Sequence, residues 1–193
     1  KTQEIFERGT FHIKDLIAPS AFEVRPDFVR LGDRFVRTVF VVTYPRYMSV
    51  GWFAPIINFP APLDVAMYFY PISAALILKQ LQKKVGVVQA QISADREKGM
   101  PRDPMQETAL RDIESLRDSL TQGTEKFFQF ALYVTVYAKT KEELDSLTEK
   151  VELMLNSRLI YSRRALYQGE QGFTSTLPLA KDELFVSFNM NSS

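Results

Sequence analysis

The sequence predicts an α+β fold, specifically a ferredoxin-like β-α-β-β-α-β sheet domain with a long antiparallel helical hairpin inserted and extra N-terminal and C-terminal strands. Residues 35–44 and 127–138 are rich in β-branched and aromatic side chains, which favour strands. Residues 73–122 carry apolar side chains at helical spacing in two successive stretches, and 141–156 form a third such stretch. The order of these stretches along the chain gives the predicted fold.

The first predicted elements form a β-hairpin in front of the central strand. A short strand is predicted near Phe11–Ile17, within a weakly periodic lead-in. Two β-like runs, 27–31 and 34–43, then flank the pair Gly32-Asp33, which is typical of a hairpin turn. The hairpin 22–34 therefore adds an edge strand to the predicted sheet.

Residues 47–78 form an aromatic segment in which Asp64 is the one charged side chain. The segment is long enough for a membrane span, but four prolines interrupt it, and a spanning helix with four prolines would leave backbone groups unpaired in lipid. We predict instead a short helix over 48–57 and a strand over 63–70. Two interpretations of the segment stay open: buried core, or a surface that docks on a membrane or a partner.

For the docking interpretation we predict which side chains face solvent. Trp52, Phe53 and Ile56, on the short helix between prolines, are the predicted partner-binding residues, because large apolar side chains dominate protein contacts. On the following strand, the alternation predicts one buried face, formed by Val65, Met67 and Phe69.

The inserted hairpin is predicted from two apolar stripes and their caps. Ser73 precedes the first helix, and Asp103 with Pro104 begins the second, which ends at Gly123. The predicted domains are accordingly a ferredoxin-like domain over 1–72 and 123–193, and the helical hairpin over 73–122.

The last third of the chain completes the predicted sheet. Residues 127–138 alternate strictly, with Tyr133 and Tyr137 on the more polar face. Thr140 is predicted to cap a helix over 141–156, and a strand is predicted over 158–166. A loop over 167–182 and a last strand, Leu184–Asn189, follow.

Composition excludes several kinds of catalytic or metal site. The chain has no cysteine and one histidine, His12, so thiolate chemistry, zinc ribbons and Ser/His/Asp triads have almost no residues to use. No G-x-x-x-x-G-K-[ST] motif occurs, and Gly169 and Gly172 are interpreted as turn residues rather than a phosphate loop. We predict no catalytic, cofactor-binding or metal residues. An unrecognised small hydrolase is kept as a third hypothesis, after the interaction module and the nucleic-acid-binding domain described below.

One basic cluster suggests a second class of function. Arg158, Arg163 and Arg164 are predicted around one strand, with Arg158 and Arg164 on the same face. Together with Tyr133 and Tyr137 they are similar to the basic and aromatic surfaces on which RNA-binding sheets stack bases. The net charge is only +1, and the Gly-aromatic pattern of the RNA-recognition module is missing, so nucleic acid is the less favoured partner.

A family resemblance favours an interaction module. The chain contains a strand ending in TYP, the run LDVAMYFYPIS, a KGMPRDP turn with RDIESLRDSLTQG, and a long stretch from EKFFQFALYVTVYA to LAKDEL. This arrangement, over residues 22–190, resembles the amino-terminal region of the CagE/TrbE/VirB family of type IV secretion and conjugative-transfer ATPases.

The resemblance implies a non-catalytic part of a larger protein, and Lys1 at the start also suggests an excised piece. In that family ATP and Mg²⁺ bind a carboxy-terminal motor domain, whose Walker motifs have no counterpart here. The implied partners are inner-membrane components of the secretion channel, the protein's own motor domain, and other copies of the parent protein. The implied location is the cytoplasmic face of the bacterial inner membrane, as a peripheral protein.

Overall fold

The computed structural model describes residues 21–101 and 103–192, which form seven strands and five helices. The mixed α+β class is therefore confirmed. The strand predicted near Phe11–Ile17 and His12 lie outside the described residues. The strands are β1 (Phe22–Val24), β2 (Val29–Leu31), β3 (Arg34–Thr43), β4 (Leu63–Pro71), β5 (Phe127–Ala138), β6 (Tyr161–Arg164) and β7 (Phe188–Asn191), and the helices are α1 (Ala54–Ile57), α2 (Ala74–Glu97), α3 (Pro104–Gln122), α4 (Lys141–Asn156) and α5 (Gly169–Thr176).

The strands form one sheet in the order β1-β2-β3-β5-β4, with β6 also paired to β3 and β7 also paired to β5. Strands β3 and β5 are antiparallel, with Val39 opposite Val134. Strand β4 is antiparallel to β5 as well, because Tyr137 N–H donates to the Pro62 carbonyl while Ile72 N–H donates to the Phe127 carbonyl. The predicted hairpin turn at Gly32 is confirmed between β2 and β3, where this glycine has a φ of 60°.

The chain divides into two compact units. Of the described residues, the first unit contains those from 21 to 67 together with Ala131–Val186, and the second contains those between Tyr68 and Phe130 together with those from 187 to 192. Strands β4 and β5 contribute residues to both units. The predicted domain division, with 73–122 as a separate hairpin, stays a prediction.

The core of the first unit is a sheet covered on both faces. Helix α4 buries one stripe of its surface, including Leu144, Val151 and Leu155. Helix α5 packs against β3. Because both faces are covered, all six residues Ala131–Val136 of β5 are buried. Polar and apolar residues do not alternate clearly along β3 for the same reason. A strand that is covered on both faces needs apolar side chains on each face.

A buried arginine links the sheet to α4. The side chain of Arg37 is 3% exposed, and its Nη1 lies 2.6 Å from Asp145 Oδ1 on α4. Its Nε donates to the Asp27 carbonyl at 2.7 Å, and its Nη2 lies 3.3 Å from Asp27 Oδ2. A buried charge is tolerated when it is paired and hydrogen-bonded in this way. The predicted helix cap is confirmed nearby, where Thr140 Oγ1 accepts from Glu143 N–H.

The predicted loop over 167–182 is wrong, because it contains helix α5. Gly169 and Gly172 lie in this helix and are not turn residues. A Cβ atom on Gly172 would lie 2.8 Å from the Thr38 Cβ and 3.1 Å from the Ala165 Cβ. These glycines therefore allow the helix to approach the sheet closely.

The short helix predicted over 48–57 begins only at Ala54, so Trp52 and Phe53 precede it.

Two strand boundaries also differ from the prediction. Strand β6 begins at Tyr161 rather than at 158, because Leu159 has a φ of 59° and cannot continue a strand. The last strand begins at Phe188 rather than at Leu184. There Asp182 Oδ1 accepts from the N–H groups of Leu184 and Phe185, and Phe185 has a φ of 53°, so the chain turns before it pairs.

The second unit contains the two predicted hairpin helices, which pack against each other. Asp103 caps α3 by accepting from Met105 N–H at 2.9 Å, and Gly123 ends this helix with a φ of 72°. Ser73 occupies the predicted N-cap position of α2, but its side chain makes no cap hydrogen bond. No helix in the described part of the chain is long and apolar enough to cross a membrane.

Candidate docking surface

The segment between β3 and α1 is fixed to the first unit by three aromatic rings. Tyr44 is buried, and this burial raises the pKa of its phenol. The Trp52 ring lies edge-on to Tyr44, with 6.5 Å between centroids, and edge-on to Phe53 at 5.3 Å. Trp52 and Phe53 are therefore half-buried anchors of this segment.

The tip of the same segment exposes large apolar side chains. Tyr47 is 77% exposed and Val50 is fully exposed. Arg46 lies over the Tyr47 ring at 5.5 Å from its centroid. Gly51, with a φ of 77°, lies in a turn that the Trp52 N–H closes by donating to the Ser49 carbonyl at 3.1 Å. We call Tyr47, Met48, Val50 and the nearby Leu159 the apolar rim.

A cavity of about 240 Å³ lies beside this rim. One wall is the segment after β3, and the other is the turn that follows α4. The cavity thus brings Trp52 close to Arg158, two residues predicted separately from the sequence. None of its lining residues is acidic; they are Pro45, Tyr47, Met48, Ser49, Trp52, Ser157, Arg158, Leu159 and Ile160.

Leu159 has an unusual backbone conformation at this turn. Ile160 N–H donates to the Leu155 carbonyl at 3.1 Å, which closes the end of α4 as a Schellman motif with Leu159 at the left-handed position. Glycine is the usual residue there, because a Cβ atom is strained at positive φ. The leucine side chain is 59% exposed and borders the cavity.

For the aromatic segment 47–78, the side chains predicted to be exposed or buried are partly wrong. Ile56 is only 2% exposed, because α1 packs against α4. Val65 is half-buried, while Met67 and Phe69, predicted to be buried, are 38% and 58% exposed. The Phe69 ring contacts Phe130, with 4.8 Å between centroids, but its other side is open to solvent.

The three predicted arginines have three different surroundings. Arg164 makes two hydrogen bonds of 2.8 Å to the Glu152 carboxylate on α4, and this pairing raises the pKa of Arg164. Arg163 is exposed and lies opposite Phe40. Arg158 lies in the turn after α4 rather than in a strand, so its predicted position on one strand face with Arg164 is wrong.

The predicted polar face of the sheet is covered around Tyr133 and Thr135, whereas Tyr137 is half-buried and its hydroxyl donates to Asp64 Oδ2 at 2.5 Å. Thr135 Oγ1 lies 2.6 Å from Thr38 Oγ1 and 2.7 Å from Thr176 Oγ1 of α5. Tyr133 is fully buried, and its hydroxyl donates to Asp182 Oδ1 at 2.9 Å. Bases cannot stack on Tyr133, because α5 and the segment after it occupy this face.

Searches for similar proteins add no identification. No protein-family model matches the chain, and no curated protein matches it. Within residues 21–101 and 103–192, no group of three or more histidine, aspartate or glutamate side chains is placed to hold a metal ion.

Proposed function

We propose that this chain is the non-catalytic amino-terminal interaction and assembly module of a type IV secretion ATPase, which docks the motor on the inner-membrane channel. The observation that carries the proposal is the apolar rim, where Tyr47 and Val50 extend into solvent. Exposed apolar clusters mark protein or membrane contact sites. The resemblance described above supplies the system, the location at the cytoplasmic face of the inner membrane, and a separate motor domain for ATP and Mg²⁺.

We further propose that residues 34–164 have the ferredoxin-like arrangement. The pairing order β6-β3-β5-β4 supports this proposal, because it matches the order in which the four strands of that fold lie in the sheet. The contact between α1 and α4 also supports it. Helix α5 is then an addition on the opposite face.

The composition of the apolar rim and of the cavity beside it is typical of a protein interface. Aromatic residues, methionine and arginine are enriched at such interfaces, and Tyr47, Met48, Trp52 and Arg158 provide all of these types around one cavity. The half-buried Trp52 also holds the segment in place before binding, so less conformational freedom is lost when a partner docks. The nucleic-acid alternative has less support, because α5 covers the part of the sheet face around Thr135, next to the buried Tyr133.

The test is a Tyr47→Ser/Val50→Ser double variant of the full parent protein. Both side chains are exposed, so we expect the melting temperature to stay within a few degrees of the wild type. Association with purified inner-membrane channel components should fall at least tenfold, since two apolar contacts of about 1 kcal/mol each are removed.

The matched control is Leu76→Ser/Val87→Ser on α2, where the two side chains are 55% and 69% exposed. This control should associate like the wild type. Wild-type association of the Tyr47/Val50 variant, or an equal loss in both variants, would contradict the proposal.

A further inference from the structure

The size of the cavity beside the apolar rim limits what can occupy it. Its volume is about 240 Å³. Small-molecule sites are usually larger, at about 300–1,000 Å³. The wall includes Trp52, Met48 and Leu159, so the interior is mainly apolar. One bulky side chain of a docked peptide fits these dimensions and this lining.

The charge around the cavity favours a carboxylate. The Arg158 guanidinium makes no ion pair or hydrogen bond with any residue in the described part of the chain. Residues 45–63 and 153–169, which contain both walls, have no aspartate or glutamate. An arginine with open donors recognises a carboxylate through two parallel hydrogen bonds.

The left-handed leucine that ends α4 places an apolar side chain at the border of the cavity. Leu159 takes a left-handed conformation that glycine would take without strain. Its side chain is 59% exposed, so burial in this chain does not compensate the strain fully. Strained residues that persist in this way are concentrated at ligand-binding sites. The exposed part of this side chain is therefore available to a ligand in the cavity.

We propose that the cavity binds an extended peptide segment of a partner protein, in which a bulky aliphatic side chain stands beside a carboxylate. The aliphatic side chain enters between Trp52, Met48 and Leu159, and the carboxylate accepts hydrogen bonds from Arg158. This inference rests on the proposed function and specifies the chemistry of the partner.

Trp52 is the one tryptophan of the sequence, so its fluorescence reports directly on the cavity. The probes are twelve-residue Gly/Ser peptides that carry one Leu-Asp pair, with Leu-Asn and Ala-Asp versions as matched controls. Titrated into the full chain, the Leu-Asp peptide should change the fluorescence saturably. The Leu-Asn peptide should bind about fivefold more weakly, as expected for the loss of one exposed ion pair.

Two variants test the assigned contacts. Arg158→Gln should bind the Leu-Asp and Leu-Asn peptides equally, whereas the control Arg163→Gln should keep the preference of the wild type. Leu159→Gly should weaken binding of the Leu-Asp peptide while its melting temperature stays the same or rises, because glycine relieves the strain. If Leu159→Gly lowered the melting temperature and left peptide binding unchanged, the role of Leu159 would be structural only. That result would overturn the contact assigned between Leu159 and the peptide.

No saturable response up to millimolar peptide, or equal binding of all three peptides, overturns the inference. A response to phosphatidylglycerol vesicles but to no peptide overturns it in favour of a lipid surface. If the Tyr47/Val50 variant still loses channel association while the peptides fail, the inference alone is wrong. If that variant keeps its association, the proposed function fails as well.

Discussion

Gly169 and Gly172 set the distance between helix α5 and the sheet. At Gly172 the space for a Cβ atom is already occupied by Thr38 and Ala165, and at Gly169 it lies 3.0 Å from a methyl group of Val29. In the sequence, two glycines three residues apart are typical of a loop. In the structure they provide the close packing that covers the threonine pair of the two central strands.

Replacement of Gly172 by alanine should destabilise the protein by about 1–3 kcal/mol, because the added methyl group overpacks the contact with Thr38. Gly86 is the matched control: it lies within α2, and a Cβ atom there would meet nothing within 4 Å. Gly86→Ala should therefore stabilise the protein by about 0.5–1 kcal/mol. Urea unfolding of both variants measures the two effects. If both replacements changed the free energy of unfolding in the same direction, α5 would not pack on β3 as described.

Tyr44 makes stability depend on pH in the alkaline range. Burial raises the pKa of its phenol above the ordinary value of about 10, so the unfolded chain loses this proton at a lower pH than the folded chain does. The folded state then holds more protons, and stability is retained below pH 10 and falls as the pH rises above it.

The Tyr44→Phe variant should lose less stability than the wild type between about pH 9 and pH 11, with a difference of about 1 kcal/mol. The control is Tyr47→Phe, whose ring is 77% exposed. Urea unfolding across this pH range measures the slopes. If the free energy of unfolding of Tyr44→Phe fell with pH as steeply as that of the wild type, the burial of this phenol would be contradicted.

At the scale of elements, regular patterns predicted the structure well. Strand β5 and helix α4 have the predicted bounds, 127–138 and 141–156, because strict alternation and a Thr140 cap define them locally. Helix α5 was missed because glycine, serine and threonine are poor helix formers, and its stability comes from packing on the sheet.

The candidate site could be predicted only in part. Trp52 and Arg158 were identified, but their position at one cavity depends on contacts between distant segments, which periodicity does not report. Tyr47 and Val50 lie in the segment predicted as a possible docking surface but were not singled out, and Leu159 was missed. For Leu159 no sequence signal exists, since a leucine after a helix does not predict a left-handed backbone.

The helical hairpin should be removable. Ile72 N–H donates to the Phe127 carbonyl at 3.1 Å, so the ends of β4 and β5 are already adjacent, and a short linker can join them. Replacement of 73–122 by a short Gly/Ser linker should leave a protein that unfolds cooperatively and keeps the fluorescence of Trp52. Circular dichroism during thermal unfolding checks this. Loss of the cooperative transition would show that the hairpin belongs to the core.

At the scale of the whole molecule, charge is nearly balanced, with 24 basic and 23 acidic side chains. Long-range electrostatic steering is therefore weak, and under the proposed function partner choice depends on local features such as the apolar rim and Arg158. We expect partner binding to be less sensitive to salt than nucleic-acid binding, which loses affinity steeply as salt rises.

The proposed non-catalytic role predicts that this chain does not bind MgATP. The sequence offers no P-loop to surround the phosphates with backbone N–H groups. Calorimetric titration of the chain with MgATP should give no saturable heat. Binding in the micromolar range would show a nucleotide site that the proposal does not contain.

Site-specific photo-crosslinking shows whether the apolar rim contacts the secretion channel in cells. A photo-reactive amino acid replaces Val50, which is fully exposed, in the full parent protein within cells that carry the secretion system. The control position is Glu142, exposed in the first turn of α4, at the opposite end from Leu159. The account predicts crosslinks to an inner-membrane channel component from position 50 and none from position 142. Crosslinks from both positions alike, or from neither, would contradict docking through the apolar rim.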